Sequence, residues 1–174
     1  MDFSLLIIAQ RGISKLTTTI GRAVGWLTLG MVILTCCVVL LRYGFNLGSV
    51  ALQESIVYLH GLVFLLALAY TADADQHVRV DIFYRGFKPR TQAWVNCLGS
   101  LVFLLPFSVY LLWATWPFFL NAWAINEASA EAGGLPYVYV LKGLLPLAAA
   151  SLVLHACGQV FGNLGRLITK EFSV

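Results

Sequence analysis

Four long, almost uncharged apolar segments constrain this chain more than any other feature. They lie at about residues 23–44, 52–72, 92–116 and 140–165. A helix needs about 20 apolar residues to cross the hydrocarbon core of a bilayer, and each segment is long enough. Membrane strands alternate in polarity, whereas these segments are continuous apolar runs. The sequence therefore predicts an all-α integral membrane protein with one domain, residues 1–174, of four transmembrane helices.

The scarcity of charge supports this prediction. Only 11% of the residues are charged and 60% are hydrophobic, whereas soluble domains carry about 25% charged residues. The first apolar stretch is short and is followed by Arg11 and Lys15, so it does not resemble a secretory signal peptide. Residues 3 to about 20 are expected to form an interfacial helix with Phe3, Leu6, Ile7 and Ile13 facing lipid. A partly disordered tail is the alternative.

The third segment is longer than one crossing requires. It is uncharged over the 36 residues from 91 to 126, which would measure about 54 Å as a helix. The hydrocarbon core is about 30 Å thick. We therefore expect the crossing to end near Trp116 and Pro117, with residues 118–126 along the outer interface. Pro106 is expected to kink the span.

The distribution of positive charge predicts the orientation. Nine of the eleven Lys and Arg residues lie in the N-terminal tail, the middle loop and the C-terminal tail: Arg11, Lys15, Arg22, Arg79, Arg85, Lys88, Arg90, Arg166 and Lys170. Arg42 and Lys142 lie in the other two loops. Positive charge concentrates on the cytoplasmic side. Both termini and the middle loop are therefore predicted to be cytoplasmic.

Charged residues at the outer ends of the helices are candidates for contacts. Arg42 and Glu54 are either an ion pair or two separately solvated charges, since charges at a membrane boundary tend to find partners. Lys142 can join them or meet Glu127 or Glu131. The spacings Gly21–Gly25 and Gly158–Gly162 predict faces where helices approach closely.

His60 and His155 lie near the middle of the second and fourth helices. Two such histidines could hold a haem b, as in the membrane anchor of a redox enzyme. The alternative, which we favour, is that each imidazole makes a hydrogen bond between helices.

The sequence contains no pattern of a metal site or an enzyme. The middle loop holds Asp75, His77 and Asp81, but Arg79 beside them would repel a cation. The cysteines Cys36, Cys37, Cys97 and Cys157 lack metal-site spacing and are expected to pack as small apolar residues. No phosphate loop, nucleophile elbow or HExxH motif is present in the sequence. We therefore predict neither catalysis nor a cofactor.

Several short motifs, spread from about residue 22 to residue 166, resemble those of one family. They are Arg42-Tyr-Gly-Phe45-Asn46, Leu52-Gln-Glu54-Ser, His77-Val-Arg-Val-Asp81-Ile-Phe-Tyr84, Glu127-Ala-Ser129, Gly133-Gly-Leu-Pro136 and Lys142. Together with the four-helix plan, these motifs resemble the small membrane subunit (DctQ-like) of tripartite ATP-independent periplasmic (TRAP) transporters.

The resemblance implies a supporting role in the bacterial inner membrane. In such systems a periplasmic solute-binding protein captures an organic acid-type solute, and a large membrane subunit (DctM-like) carries it with coupling ions. The small subunit is a scaffold beside the large one, with no nucleic-acid partner. The resemblance marks six structural or partner-contact candidates: Arg42, Asn46, Glu54, His77, Asp81 and Lys142. A stand-alone transporter is the weaker alternative, because inverted repeats and a midplane acidic residue are lacking.

Overall fold

The apolar segments form long helices in the computed structural model, which describes residues 3–74, 82 and 84–169. The helices are α1 (Phe3–Gly25), α2 (Leu27–Gly44), α3 (Val50–Leu66), α4 (Leu68–Asp73), α5 (Pro89–Gly99), α6 (Leu105–Ala124) and α7 (Val138–Thr169). These residues contain no strand, and they provide four helical stretches long and apolar enough to cross a membrane. The predicted all-α membrane fold is confirmed, and the protein is a multi-pass membrane protein.

The N-terminal residues form a helix that packs onto the rest of the protein. On α1, Thr17, Gly21 and Val24 are buried against neighbouring helices, chiefly α7 and α4. The Thr17 hydroxyl donates to backbone carbonyls of its own helix, so its burial leaves no polar group unpaired. Ile13 was expected to face lipid, but it lies against Gly158 of α7. The side chains of Phe3, Leu6 and Ile7 fall outside the described part of the chain.

The third span contains an irregularity just before its first proline. A π-helical segment, Ser100–Leu104, joins α5 to α6, and the Leu105 N–H bonds to the Ser100 carbonyl five residues earlier. Proline cannot donate a helical hydrogen bond, so Pro106 disturbs the ladder at this level. The wider π-helical turn accommodates the missing donor. A kink was predicted at Pro106, and the structure has a π-helical segment immediately upstream of that residue.

Pro117 does not end the third helix. We expected the crossing to finish near Trp116 and Pro117, but α6 continues as helix to Ala124. The missing N–H of Pro117 removes one bond, to the carbonyl of residue 113, and the flanking bonds keep the helix intact. α6 ends at Ala124, and the chain turns two residues later at Asn126, whose φ of 48° is left-handed. The N–H groups of Asn126 and Glu127 bond back to the carbonyls of Trp123 and Ala122, as in a Schellman motif.

The fourth span is the centre of the bundle. Within the described part of the chain, α7 contacts α1, α3, α4, α5 and α6, while α2 packs mainly on α3 and α1. Small residues on α7 permit this packing, and Ala148, Ala149, Ala156, Gly158 and Gly162 are all buried. The predicted close approach is present at Gly158, which lies against Ile13 of α1, and Gly162 is also buried. Of the other glycine pair, Gly21 lies against Tyr70, whereas Gly25 is exposed with open space around it.

Candidate functional site

Glu54 lies in the first turns of α3, where it meets a loop from the other half of the chain. Ser49 caps this helix, and its hydroxyl accepts the Leu52 N–H at 3.4 Å. One carboxylate oxygen of Glu54 accepts the Ser129 hydroxyl, and the other accepts the Leu135 N–H at 2.6 Å. Residues 45–49 and 125–137 therefore lie at the same end of the bundle, which we call the Glu54 end.

The loop 125–137 is folded so that it can reach Glu54. The Ser129 N–H bonds to the Leu135 carbonyl at 3.0 Å, and the Gly134 N–H bonds to the Glu131 carbonyl at 3.0 Å. The φ of 79° at Gly133 is a conformation that favours glycine. At Gly134, a Cβ atom would lie 2.8 Å from Glu54 Oε1 and 2.6 Å from Ser129 Cβ. The two glycines serve different purposes: Gly133 permits the turn, and Gly134 permits the contact with Glu54.

A second contact fixes the same loop to α7. Both carboxylate oxygens of Glu127 accept hydrogen bonds from the Lys142 Nζ atom, at 2.7 and 2.6 Å. The Nζ atom also lies 4.2 Å from the centroid of the Phe118 ring, a cation–π distance. The two charged side chains are 22% and 29% exposed. Of the two acids considered for Lys142, the structure selects Glu127.

Arg42 does not pair with Glu54. Both Glu54 oxygens bond to the loop 125–137, and Arg42 is exposed without an ion pair among the described residues. Arg42 and Asn46 instead line an open groove of about 580 Å³, with the other lining residues being Tyr43, Gly48, Ser49, Val50 and Gln53. Asn46 is left-handed (φ 54°), and the chain turns there so that the Leu47 N–H reaches the Leu41 carbonyl at 2.9 Å.

The candidates of the middle loop lie outside the described residues. This applies to His77 and Asp81. The neighbouring Tyr84 is described, and it ties the short 3₁₀ turn Tyr84–Gly86 to α5. Its hydroxyl accepts from the Asn96 side chain at 2.8 Å, and its carbonyl accepts from the Gln92 side chain at 3.1 Å. The middle loop is thus anchored where it enters α5.

The two histidines do not share a site. His155 is 5% exposed in the core on α7, whereas His60 lies exposed on the outer face of α3, beside the Phe64 ring. Axial ligation of a haem requires both imidazoles to face one pocket. The haem-anchor alternative is therefore not supported. No cluster of three metal-ligating side chains occurs among the described residues either.

Sequence reasoning missed the partners of Glu54. Ser129 and Gly134 belong to motifs noted in the sequence, but neither was a candidate site residue. Nothing in one sequence links Ser129 to a carboxylate 75 residues earlier. The structure brings together Glu54, Ser129 and Gly134, and beside them Glu127 and Lys142. This arrangement joins helix ends to a loop.

The comparison with known families decides which protein class this is. The family model described as "Tripartite ATP-independent periplasmic transporters, DctQ component" matches residues 31–166, more than three quarters of the chain. The chain belongs to the DctQ family. No curated protein and no solved structure matches it significantly.

The family match contains the whole of the Glu54 end. Arg42, Asn46, Glu54 and Lys142 all lie within the matched residues, as does the loop 125–137. DctQ proteins are the small membrane component of TRAP transporters, and the family is one of transporter components rather than enzymes. The predicted membership of the DctQ family is confirmed. The Glu54 end lies within the part of this chain that the family model matches.

Proposed function

We propose that this chain is the scaffold subunit of a TRAP secondary transporter in a bacterial inner membrane. It supports a large DctM-like subunit, which moves an organic acid-type solute with coupling ions. A periplasmic binding protein delivers the solute. The observation that carries this proposal is the DctQ match over residues 31–166.

The Glu54 end supports a scaffold role because its polar groups are used internally. Glu54 holds the loop 125–137 through two hydrogen bonds, and Lys142 holds it through Glu127. Paired groups of this kind fix the shape of a surface and bind no solute themselves. We infer that Glu54 braces this loop, so that it offers a constant surface to the partner proteins.

The proposal includes an orientation and roles for the remaining candidates. The excess of Lys and Arg in the tails and the middle loop favours cytoplasmic termini and a periplasmic Glu54 end. Arg42 and Asn46 then belong to the periplasmic surface. For His77 and Asp81 we propose that they fix the middle loop on the cytoplasmic side, where the second span ends.

The test of the proposal combines purification with transport. A tagged chain, co-expressed with its large subunit, is purified in mild detergent and reconstituted with the binding protein. We expect the large subunit to co-purify stoichiometrically, and Glu54→Ala to lower solute uptake while the solute affinity of the binding protein stays unchanged. Glu131→Ala is the matched control, because its exposed carboxylate in the same loop has no side-chain bond within the described residues.

Each failure has a separate meaning. If no large subunit co-purifies with the wild-type chain, the scaffold function is wrong. If the large subunit co-purifies but Glu54→Ala transports normally, the scaffold function stands and the role of Glu54 is wrong. Transport by the reconstituted chain without any partner would instead establish a stand-alone transporter.

A further inference from the structure

One face of α3 has no partner within the described chain. Only four of its residues are exposed: Gln53, Val57, His60 and Phe64. Their spacings of four, three and four residues place them along a single side of a helix. The remaining residues of α3 are half-buried. We call these four residues the α3 stripe.

His60 puts a polar group of this stripe in the middle of the membrane span. It lies halfway along the helical stretch Val50–Ala72, about 15 Å from the start of that stretch at 1.5 Å per residue. That depth is the centre of a hydrocarbon core about 30 Å thick. The imidazole stacks on Phe64, with ring centroids 6.1 Å apart, and makes no hydrogen bond to the described residues.

Lipid is a poor environment for such a side chain. Hydrocarbon has no group that can bond to an imidazole nitrogen, and an unpaired polar group there is costly. Ionisable side chains inside a membrane almost always face protein or water. The exposed face of the neighbouring helix α2 suits lipid better. Leu29, Val32 and Leu40 are apolar, and the exposed Thr35 hydroxyl donates to the Met31 carbonyl of the same helix at 2.7 Å.

The stripe continues into a polar surface at the Glu54 end. Gln53 is its first member and also lines the groove with Arg42 and Asn46. The surface therefore runs from the exposed guanidinium of Arg42, through Val57, to the imidazole of His60 at mid-depth. A lipid headgroup could bind Arg42 at the membrane boundary, but it would not reach His60 at mid-depth. A partner membrane protein can contact the whole surface if it has a polar group on a transmembrane helix, opposite His60, and a hydrogen-bond acceptor on an adjoining loop, opposite Arg42.

We propose that the α3 stripe is the surface on which the large subunit packs, with His60 hydrogen-bonded to a polar side chain of a transmembrane helix of that subunit. This inference rests on the proposed scaffold function and adds the surface and its central contact. The partner helix presents a hydroxyl, amide or carboxyl group opposite His60. It presents small or apolar residues opposite Val57 and Phe64, as close packing between membrane helices requires.

Site-specific photocrosslinking in the intact complex tests the surface. A photoreactive amino acid is placed at Val57 in the stripe, and in a second variant at Val102 on the third span. The two side chains are 55% and 56% exposed, so the positions are matched. We expect an adduct with the large subunit at Val57 and none at Val102. Adducts with lipid alone, with a second copy of this chain, or equally at both positions would overturn the inference.

Substitution of His60 tests the central contact. The complex is diluted in detergent, and the midpoint of its dissociation is measured for the wild type, His60→Leu and His60→Gln. We expect the midpoint of dissociation of the leucine variant to lie at about threefold higher protein concentration than that of the wild type. This change corresponds to the loss of one typical hydrogen bond between membrane helices. The glutamine variant keeps a polar group and should lose less. An unchanged or strengthened complex with leucine would show that the side chain faces lipid.

The two proposals can fail separately. If the large subunit co-purifies with the wild type, but Val57 gives no adduct with it and His60→Leu dissociates normally, the stripe is not the interface and the scaffold function stands. If the large subunit does not co-purify with the wild type, both proposals are wrong.

Discussion

The backbone N–H of Leu135 donates to a carboxylate oxygen of Glu54 at 2.6 Å, across 81 residues of sequence. This bond, with the Ser129 hydroxyl on the other oxygen, holds the connection before α7 against the start of α3. Hydrogen bonds to charged groups are stronger than those between neutral groups. The loop 125–137 therefore has a defined position instead of lying free at the membrane surface.

Gly134→Ala should destabilise the isolated chain. The new methyl group would meet Ser129 and Glu54, so the loop would have to move away from the carboxylate. Overpacking of this kind typically costs about 1–3 kcal/mol. The free energy of unfolding, measured by denaturation with SDS in mixed micelles, should fall by that amount. Gly48→Ala is the matched control, because a Cβ atom at Gly48 has no neighbour within 4 Å. Equal stability of the two variants would contradict the packing described for Gly134.

Lys142 and Glu127 should show energetic coupling. Their pair is bidentate and mostly screened from solvent, with exposures of 22% and 29%. Exposed pairs contribute up to about 1 kcal/mol, and removing one partner of a buried pair costs more. A double-mutant cycle with Lys142→Met and Glu127→Gln should give a coupling energy of about 1 kcal/mol. Arg42→Met is the control and should leave stability unchanged. Additive effects of the two substitutions would show that the pair is not formed.

Labelling in whole cells should reveal the orientation. The starting variant has its four native cysteines replaced by alanine. Two single-cysteine variants are made from it, one with Ala132→Cys and one with Lys88→Cys, and the two exposed positions lie at opposite ends of the bundle. We expect a membrane-impermeant maleimide that crosses the outer membrane through porins to label residue 132 in intact cells. Residue 88 should be labelled only after the inner membrane is permeabilised. The reverse pattern would invert the orientation inferred from the positive charges.

The helices were predictable from sequence, because hydropathy over about 20 residues depends only on local composition. The same local reasoning did not predict that the helix continues through Pro117. It divided an apolar run longer than the bilayer thickness into a crossing and an interfacial segment, residues 118–126. One missing hydrogen bond does not end a helix of this length, and α6 continues to Ala124. The π-helical segment before Pro106 was likewise not predicted, because the presence of a proline indicated only a kink in the span.

The Glu54 site was predictable only in part. Glu54 and Lys142 were identified as charged residues at helix ends. For Glu54 the sequence left open an ion pair with Arg42 or separate solvation of the two charges, and neither describes the bonds that Glu54 makes. Arg42 and Glu54 are close in sequence, but the fold does not pair them. The observed partners, Ser129 and Leu135, come from a connection whose position depends on how α6 and α7 pack. The different environments of His60 and His155 have the same origin, since tertiary packing decides which side of a helix is covered.

The central position of α7 also constrains the order in which this protein can be assembled. α7 follows the other three spans in the sequence, yet it is the helix that α1, α3, α5 and α6 all contact. Membrane helices insert individually and associate afterwards. During synthesis the earlier spans therefore stay in the bilayer without their common packing partner until α7 is synthesised and inserted. Nascent chains that stop before residue 138 would lack the helix that joins the earlier spans, so those spans would have no common packing partner.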